Sequence, residues 1–386
     1  MSTEPETYKE IYTRTLNYFL EPVSEFLKDP SVSEIMINGT EEVYIERRGK
    51  IELSGVRFPN QDRLMAAVKN VAQFTRKRID EDTNRFDSRL PDGSRVHVVL
   101  PPSSQKGIVV SIRKFSKEKL TLERLVEFGS LTEEAKEFLE IIVVLAKNML
   151  VSGGTSSGKT SLLNALSGSI PADQRIIVLE DSTELQLSQK HVLAFEAKLA
   201  DRHGKGAVTI RDLFHSSLRL RPDRIVIGEI RGGEALDMIQ AMTSGHSGSM
   251  STLHANNPRD ALSRLETMAL MSGIEMPLFA LRSQVASAVD VIVQACRLHN
   301  GMRRVTHISE VMPLTDAGKY EVQDLFVYQV PANGGGSGRL TWTGRQASFA
   351  GDLQTTGFDR PVRHATGVLG LQKETAENAS SMAATH

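Results

Sequence analysis

One cysteine, one tryptophan and an aromatic share of 5% leave several protein classes without material in this chain of 386 residues. A single thiol, Cys296, builds no disulfide and no four-thiolate zinc site, so a reducing compartment is its natural setting. It ends the apolar run Val289-Asp290-Val291-Ile292-Val293-Gln294-Ala295-Cys296 and reads as a small buried hydrophobe. Neither sign of charge is in excess: 46 Lys and Arg stand against 47 Asp and Glu, a formal net charge of -1. The basic imprint of a dominant nucleic-acid partner is absent, and no direct nucleic-acid contact is expected. Long apolar runs are missing as well. Residues 141–146 and 289–293 are the longest, far short of the ~20 needed to cross a bilayer, so no transmembrane segment is predicted. The opening Met1-Ser2-Thr3-Glu4-Pro5-Glu6 is acidic and polar, unlike a signal peptide. A cytoplasmic location follows as the expectation, with any membrane link made through a partner.

What is present suits two domains. Ile11, Leu16, Phe19, Leu20, Val23 and Phe26 recur at helical spacing, with an interruption expected near Pro22. The period then switches to two, Ile35 and Ile37 followed by Val43 and Ile45 across the turn signal Asn38-Gly39. A helix over 61–74 and strands over 96–100 and 108–112 complete a predicted α+β amino-terminal domain, residues 1–115. Residues 116–130, charged with spaced leucines, read as a linker. From 131 to 330, strand candidates at 148–152, 175–179, 224–228, 249–253 and 289–295 alternate with helical stretches, the layout of a largely parallel α/β sheet. Two of those helices carry caps, Thr209 before Ile210 and Asn257 before Pro258. The run Pro331-Ala332-Asn333-Gly334-Gly335-Gly336-Ser337-Gly338 reads as a flexible tether opening a tail, 331–386, whose last residues are Ala/Ser-rich and expected to be disordered.

Chemistry enters at Gly153-Gly154-Thr155-Ser156-Ser157-Gly158-Lys159-Thr160, which meets every fixed position of the phosphate-loop pattern G-x-x-x-x-G-K-[ST]. It follows a strand candidate and precedes Ser161-Leu162-Leu163, a helix start, which is the context the pattern requires. Backbone N–H groups of such a turn surround a polyphosphate, Lys159 reaches the outer phosphates, and the Thr160 hydroxyl can hold Mg²⁺. A guanine-selecting Asn-Lys-x-Asp run is absent, which favours ATP. Hydrolysis also needs a group to orient water. Glu229 closes the buried strand candidate Arg224-Ile225-Val226-Ile227-Gly228 and is the candidate base. Glu180, Asp181 and Glu184 follow another strand candidate and could serve the Mg²⁺ shell or the water, although a solvated turn has the same composition. His246 and His254 bracket a short strand; neutral imidazoles can sense a phosphate or bond a catalytic carboxylate, and single histidines are also common without a role.

In this combination the chain resembles the type II/type IV secretion ATPase superfamily, and within it the CpaF-type tight-adherence pilus motor. The resemblance runs from about residue 30 to 330, with a weaker echo at 338–357. It rests on Val32-Ser33-Glu34-Ile35-Met36-Ile37-Asn38-Gly39, on Asp87-Ser88-Arg89-Leu90-Pro91-Asp92-Gly93-Ser94-Arg95-Val96, and on Ile112-Arg113-Lys114-Phe115. It rests further on the phosphate loop, the acidic box at 180–184, Leu220-Arg221-Pro222-Asp223-Arg224 with the strand to Glu229-Ile230-Arg231-Gly232, and the histidine box. The resemblance implies a RecA-like carboxyl-terminal ATPase domain with a smaller PAS-like α+β domain before it. It further implies a homo-hexamer that hydrolyses ATP with Mg²⁺ and drives a pilus or secretion platform protein of the inner membrane. Glu229 then matches the catalytic glutamate, His246 and His254 the histidine box, and Arg231 the residues around the nucleotide. Arg89, Arg95 and Arg113 match arginines that reach the phosphates and stabilise phosphoryl transfer. Two related readings share the core: the substrate-gating ATPase of a type IV secretion system, and a nucleic-acid translocase. Three positions depart from the pattern. Ser156 replaces a frequent glycine, tolerable if its φ stays negative, and Ala194 and Lys198 stand where arginines are expected.

Overall fold

Cross-strand pairing of Ile35 with Ile45 and of Ile37 with Val43 puts the period-two residues of the first hairpin on one face, where all four are buried. The computed structural model describes residues 4–75, 77, 79, 84–115, 120–200, 204–330, 338–356 and 358–371. It divides into two units, Met1–Glu118 and Lys119–His386.

The first unit holds α1 (Glu4–Phe19), α2 (Ser24–Lys28), β1 (Val32–Asn38), β2 (Glu42–Arg47), β3 (Lys50–Leu53), α3 (Gln61–Phe74), β4 (Arg85–Arg89), β5 (Arg95–Val99) and β6 (Val109–Arg113). The six strands form one antiparallel sheet in the order β3-β2-β1-β6-β5-β4. Leu64, Val68 and Val71 of α3 and Leu16 of α1 join the buried strand residues in one core, and Tyr12 stacks on Phe74 with ring centroids 3.8 Å apart. Pro22 lies in a 3-10 turn, Glu21–Val23, that separates α1 from α2.

The second unit continues with α4 (Leu122–Glu127), α5 (Glu133–Val144), β7 (Met149–Gly153), α6 (Lys159–Ser167), β8 (Ile176–Glu180), β9 (Val192–Glu196), α7 (Ile210–Ser217) and β10 (Arg224–Ile227). After these come α8 (Glu234–Thr243), β11 (Met250–Leu253), α9 (Pro258–Leu270), α10 (Leu278–Ala288) and β12 (Val291–Arg297). The chain ends with β13 (Arg303–Met312), β14 (Glu321–Gln329), β15 (Arg339–Trp342) and α11 (Asp352–Thr355). The strands form one nine-stranded sheet, β15-β14-β13-β12-β7-β11-β10-β8-β9, parallel from β12 to β9 and antiparallel from β12 to β15. Alternate residues of the parallel strands feed two cores. Met149, Val151, Val178 and Val293 face α5 and α6, whereas Leu150, Ile177, Ile227 and Ile292 face α7, α8, α9 and α10. Both anticipated caps form: the Asn257 side chain accepts from the Asp260 N–H, and Thr209 makes a reciprocal capping box with Asp212.

Two regions differ from the sequence reading. The stretch taken as a linker carries α4, capped by Thr121, with Leu122 and Leu125 buried in the second unit; its spaced leucines are one face of a short packed helix. The tail is also part of the fold. Beyond 331–337, which lie outside the described residues, β15 pairs with β14, and Leu340, Phe349, Val362, Ala365, Val368 and Leu369 are buried against α5 and β14. Ion pairing from Lys147 to Asp352 (2.7 Å) and the backbone N–H of Ser348 on the buried Glu310 carboxylate (3.0 Å) fasten it. The last segment, 372–386, lies outside the described residues.

Candidate nucleotide site

A parallel sheet presents its ligands at the carboxyl ends of its strands. Four such ends stand together here: Gly153, which closes β7 and opens the phosphate loop, Glu180 closing β8 with Asp181 after it, Glu229 after β10 and His254 after β11. The loop from Gly153 to Gly158 leads straight into α6, with Gly158 as its N-cap at φ 93, a left-handed conformation that suits glycine. Gly154, Thr155 and Ser161 are exposed, Thr160 is half-buried in the first turn, and Ser157 is buried. Ser156 has φ 58. The expectation of a negative φ is therefore overturned: an L-residue occupies the left-handed region, at a cost of roughly 1–2 kcal/mol.

The Lys159 side chain is buried, and its Nζ donates to the carbonyl of Gly154 at 3.1 Å. It also lies 3.3 Å from Nδ1 of His254. The same Nζ is 3.5 Å from Nε2 of that ring, and this Nε2 is 2.8 Å from Oε1 of Glu229. The imidazole therefore lies against both the ammonium and the carboxylate. Burial lowers the His254 pKa below its usual value, and the Lys159 charge lowers it further, so the ring is neutral near pH 7. The far oxygen of Glu229 accepts from Nε of Arg231 at 2.8 Å, and the same guanidinium donates to Asp181 at 3.1 Å. Glu184 adds its negative charge to the surroundings of Arg231. Lys159, His254, Glu229, Arg231 and Asp181 thus form one chain of contacts across three strand ends. The Thr252 hydroxyl donating to the Gly228 carbonyl at 2.7 Å, and the N–H of Ile230 bonded to the Thr252 carbonyl at 2.9 Å, hold β10 and β11 in step beneath it.

Glu180 has a different position from the one its sequence context suggests. It is buried, and its Oε1 accepts from the backbone N–H groups of Glu184 (2.9 Å) and Leu185 (3.0 Å), stapling its own loop. A Cβ on Gly228 would stand 2.9 Å from its Cγ, so the close crossing of β8 and β10 needs glycine there. Among the described residues no group of three or more His, Cys, Asp or Glu is placed to hold a metal ion. A cation would therefore depend on Thr160, the exposed Asp181 and the ligand's own phosphate oxygens.

His246 is not brought to Lys159. It precedes β11, whose Met250 pairs with Met149 at the start of β7, while Leu253 pairs with Ser152 beside the loop. At ~3.3 Å per residue a strand therefore separates the two histidines, and within one chain His246 lies towards the amino-terminal ends of the parallel strands. There its carbonyl accepts from the Ser249 hydroxyl at 2.8 Å.

In the first unit, Arg89 on β4 pairs directly with Arg95 on β5, and Arg95 with Arg113 on β6. Three like charges thus stand at neighbouring positions in one row across the sheet. Ala194 lies in β9, and Lys198 forms an isolated bridge with Val208.

Sequence reasoning missed Arg303 at the start of β13, whose Nε donates to the Ser156 carbonyl at 2.9 Å. No motif marks it.

A phosphate loop on the central strand of a sheet with α-helices on both faces, beside strand-end carboxylates, defines the RecA-like class of P-loop proteins. The chain belongs to the type II/IV secretion system protein family, whose model matches residues 19–326. Among curated proteins it is 35% identical over 326 residues to the type IV secretion system protein VirB11 of Brucella suis, covering 77% of this chain and 90% of that one. It is 32% identical over 296 residues to a Mycobacterium tuberculosis protein provisionally named a conjugal transfer protein, covering 75% and 83%. Among solved structures, the pilus retraction motor PilT with bound ADP aligns with a TM-score of 0.53 at 18% identity, over 78% of this chain and 84% of that one. That likeness shows the shared fold.

Proposed function

We propose that this chain is an ATP hydrolase that powers a secretion or pilus machine. The observation that carries the reading is the continuous contact from Lys159 through His254 to Glu229, which couples the phosphate loop to the carboxylate at the end of β10. The loop amides and Lys159 bind the triphosphate, and Glu229 orients the attacking water towards the terminal phosphorus. Mg²⁺, when bound through Thr160 with Asp181 and Glu184 close by, would neutralise charge on the transferring phosphate. Arg231 holds the far oxygen of Glu229 and His254 lies against the near one, which fixes where the carboxylate stands at the end of β10. On the resemblance alone, Arg89, Arg95 and Arg113 remain the candidates for the positive charge that stabilises phosphoryl transfer.

At the scale of the assembly, we infer a homo-hexamer acting in the cytoplasm on an inner-membrane platform protein, with the tight-adherence pilus as the machine. A type IV secretion role is the second reading, favoured by the likeness to VirB11 over most of both chains. No helix among the described residues is long and apolar enough to cross a membrane.

The test of the enzymatic claim is steady-state phosphate release. Glu229→Gln is expected to retain ATP binding and lose turnover by two orders of magnitude or more, in line with the usual weight of a positioned base, about 10²–10⁴. Turnover within a factor of about three of the wild type would remove Glu229 from this role.

A further inference from the structure

The phosphate loop is gripped from outside. Arg303 donates Nε–H to the carbonyl of Ser156, 147 residues earlier in the chain, at 2.9 Å. Its Cδ lies 3.3 Å from where a Cβ on Gly158 would stand, so the side chain packs along the apex of the loop. The backbone beneath it is itself fastened. The Arg303 carbonyl accepts from the Ser130 hydroxyl at 2.7 Å and from the guanidinium of Arg304 at 3.0 Å.

The consequence follows from peptide geometry. A trans peptide is planar, and its C=O and N–H point in opposite directions. Fixing the Ser156 carbonyl towards Arg303 therefore turns the N–H of Ser157 away from Arg303, into the loop. There it bonds the Gly154 carbonyl at 3.4 Å, the same oxygen that receives Nζ of Lys159 at 3.1 Å. Two donors thus converge on one oxygen inside the loop, as they would on a phosphate oxygen. The conformation that makes this possible is the left-handed one at Ser156, φ 58, which an L-residue does not hold unaided.

We propose that Arg303 is a positioning residue for the phosphate loop: its bond to the Ser156 carbonyl holds the left-handed turn and the internal bonding of the loop that wraps the anion, and so sets affinity for the nucleotide's polyphosphate. The inference rests on the nucleotide-binding reading above. It assigns Arg303 no part in the bond-breaking step, which separates it from Glu229 and from the arginine row.

The experiment compares wild type, Arg303→Ala and Arg303→Lys as full chains, by titration with ATP and with inorganic pyrophosphate, by KM and kcat for phosphate release, and by thermal melting. Arg303→Ala is expected to raise Kd for both ligands and KM for ATP about tenfold, the usual weight of one bond from a charged donor. Its kcat should change less than about threefold and its melting midpoint little. Arg303→Lys, which keeps a donor of similar reach, should recover part of the affinity. Unchanged KM and Kd in Arg303→Ala, beside a wild type that binds ATP, would overturn the role of Arg303 alone. So would a fall in kcat without a rise in KM, or an Arg303→Lys protein that folds like the wild type yet binds no better than Arg303→Ala. A wild type that binds neither ATP nor pyrophosphate would instead overturn the nucleotide-binding reading, and this inference with it.

Discussion

His254 stands between a cation and an anion, and its protonation state decides whether both contacts survive. Burial and the Lys159 ammonium hold its pKa below 6.5, so the folded protein takes up this proton less readily than the unfolded chain. The sign follows by linkage: the unfolded state binds more protons in that range. The stability His254 contributes is complete above pH 6.5 and drains away as the pH falls towards its folded value. Urea unfolding of wild type and of His254→Gln at pH 5 and pH 8 should show a smaller difference between the two proteins at pH 5. Equal differences at both pH values would mean that the ring titrates as freely folded as unfolded. At this scale the phosphate loop was legible in the residues from Gly153 to Thr160, because a backbone that must wrap an anion tolerates few residue types at its fixed positions. Arg303 was illegible because its partner is a main-chain carbonyl, which any residue could supply. His246 and His254 bracket a short strand in the sequence, and β11 does stand between them.

Helix caps are the elements' most local signals, and both sequence-read caps form because they need only the next three residues. Asn257 is the clearer case. Its side chain accepts from the N–H of Asp260, and Pro258 fills the position whose missing donor costs nothing. Asn257→Ala should lower unfolding free energy by about 1 kcal/mol, measurable in urea, with ATP turnover unaffected. The parallel strands were readable for another reason: β7, β8, β10 and β11 are buried along their whole length and appear as short continuous apolar runs. Edge strands gave no such trace. All four residues of β3 are exposed, and β9 is at most half-buried along its length, so neither produces a period of two that stands out. The α4 helix was hidden by its brevity, since six residues carry too few repeats to separate a packed helix from a charged connection.

Across the whole molecule, the least legible part was the carboxyl-terminal region, where a glycine-rich run suggested that order had ended. The chain instead returns to build on the second unit. The ring of Phe138 on α5 lies 5.7 Å from that of Phe326 on β14 and 6.3 Å from that of Phe349 in the returning segment, measured between centroids. Each of these contacts joins residues far apart in the chain, which local pattern cannot report. Composition speaks for solvation along the tether, whereas burial is decided by what the sheet has left uncovered.

The clasp at Glu137 shows what this return implies for motion. Its carboxylate, on α5, accepts the backbone N–H groups of Arg363 (2.8 Å) and Ala365 (2.6 Å), and that of His364 between them. Three successive amides outside helix and strand are therefore all bonded to one carboxylate. In deuterated buffer they should exchange more slowly than unbonded loop amides, and Glu137→Ala should release them. Exchange there as slow as that of β7 would make the returning segment and the strand bearing the phosphate loop one cooperative block, opening together or not at all.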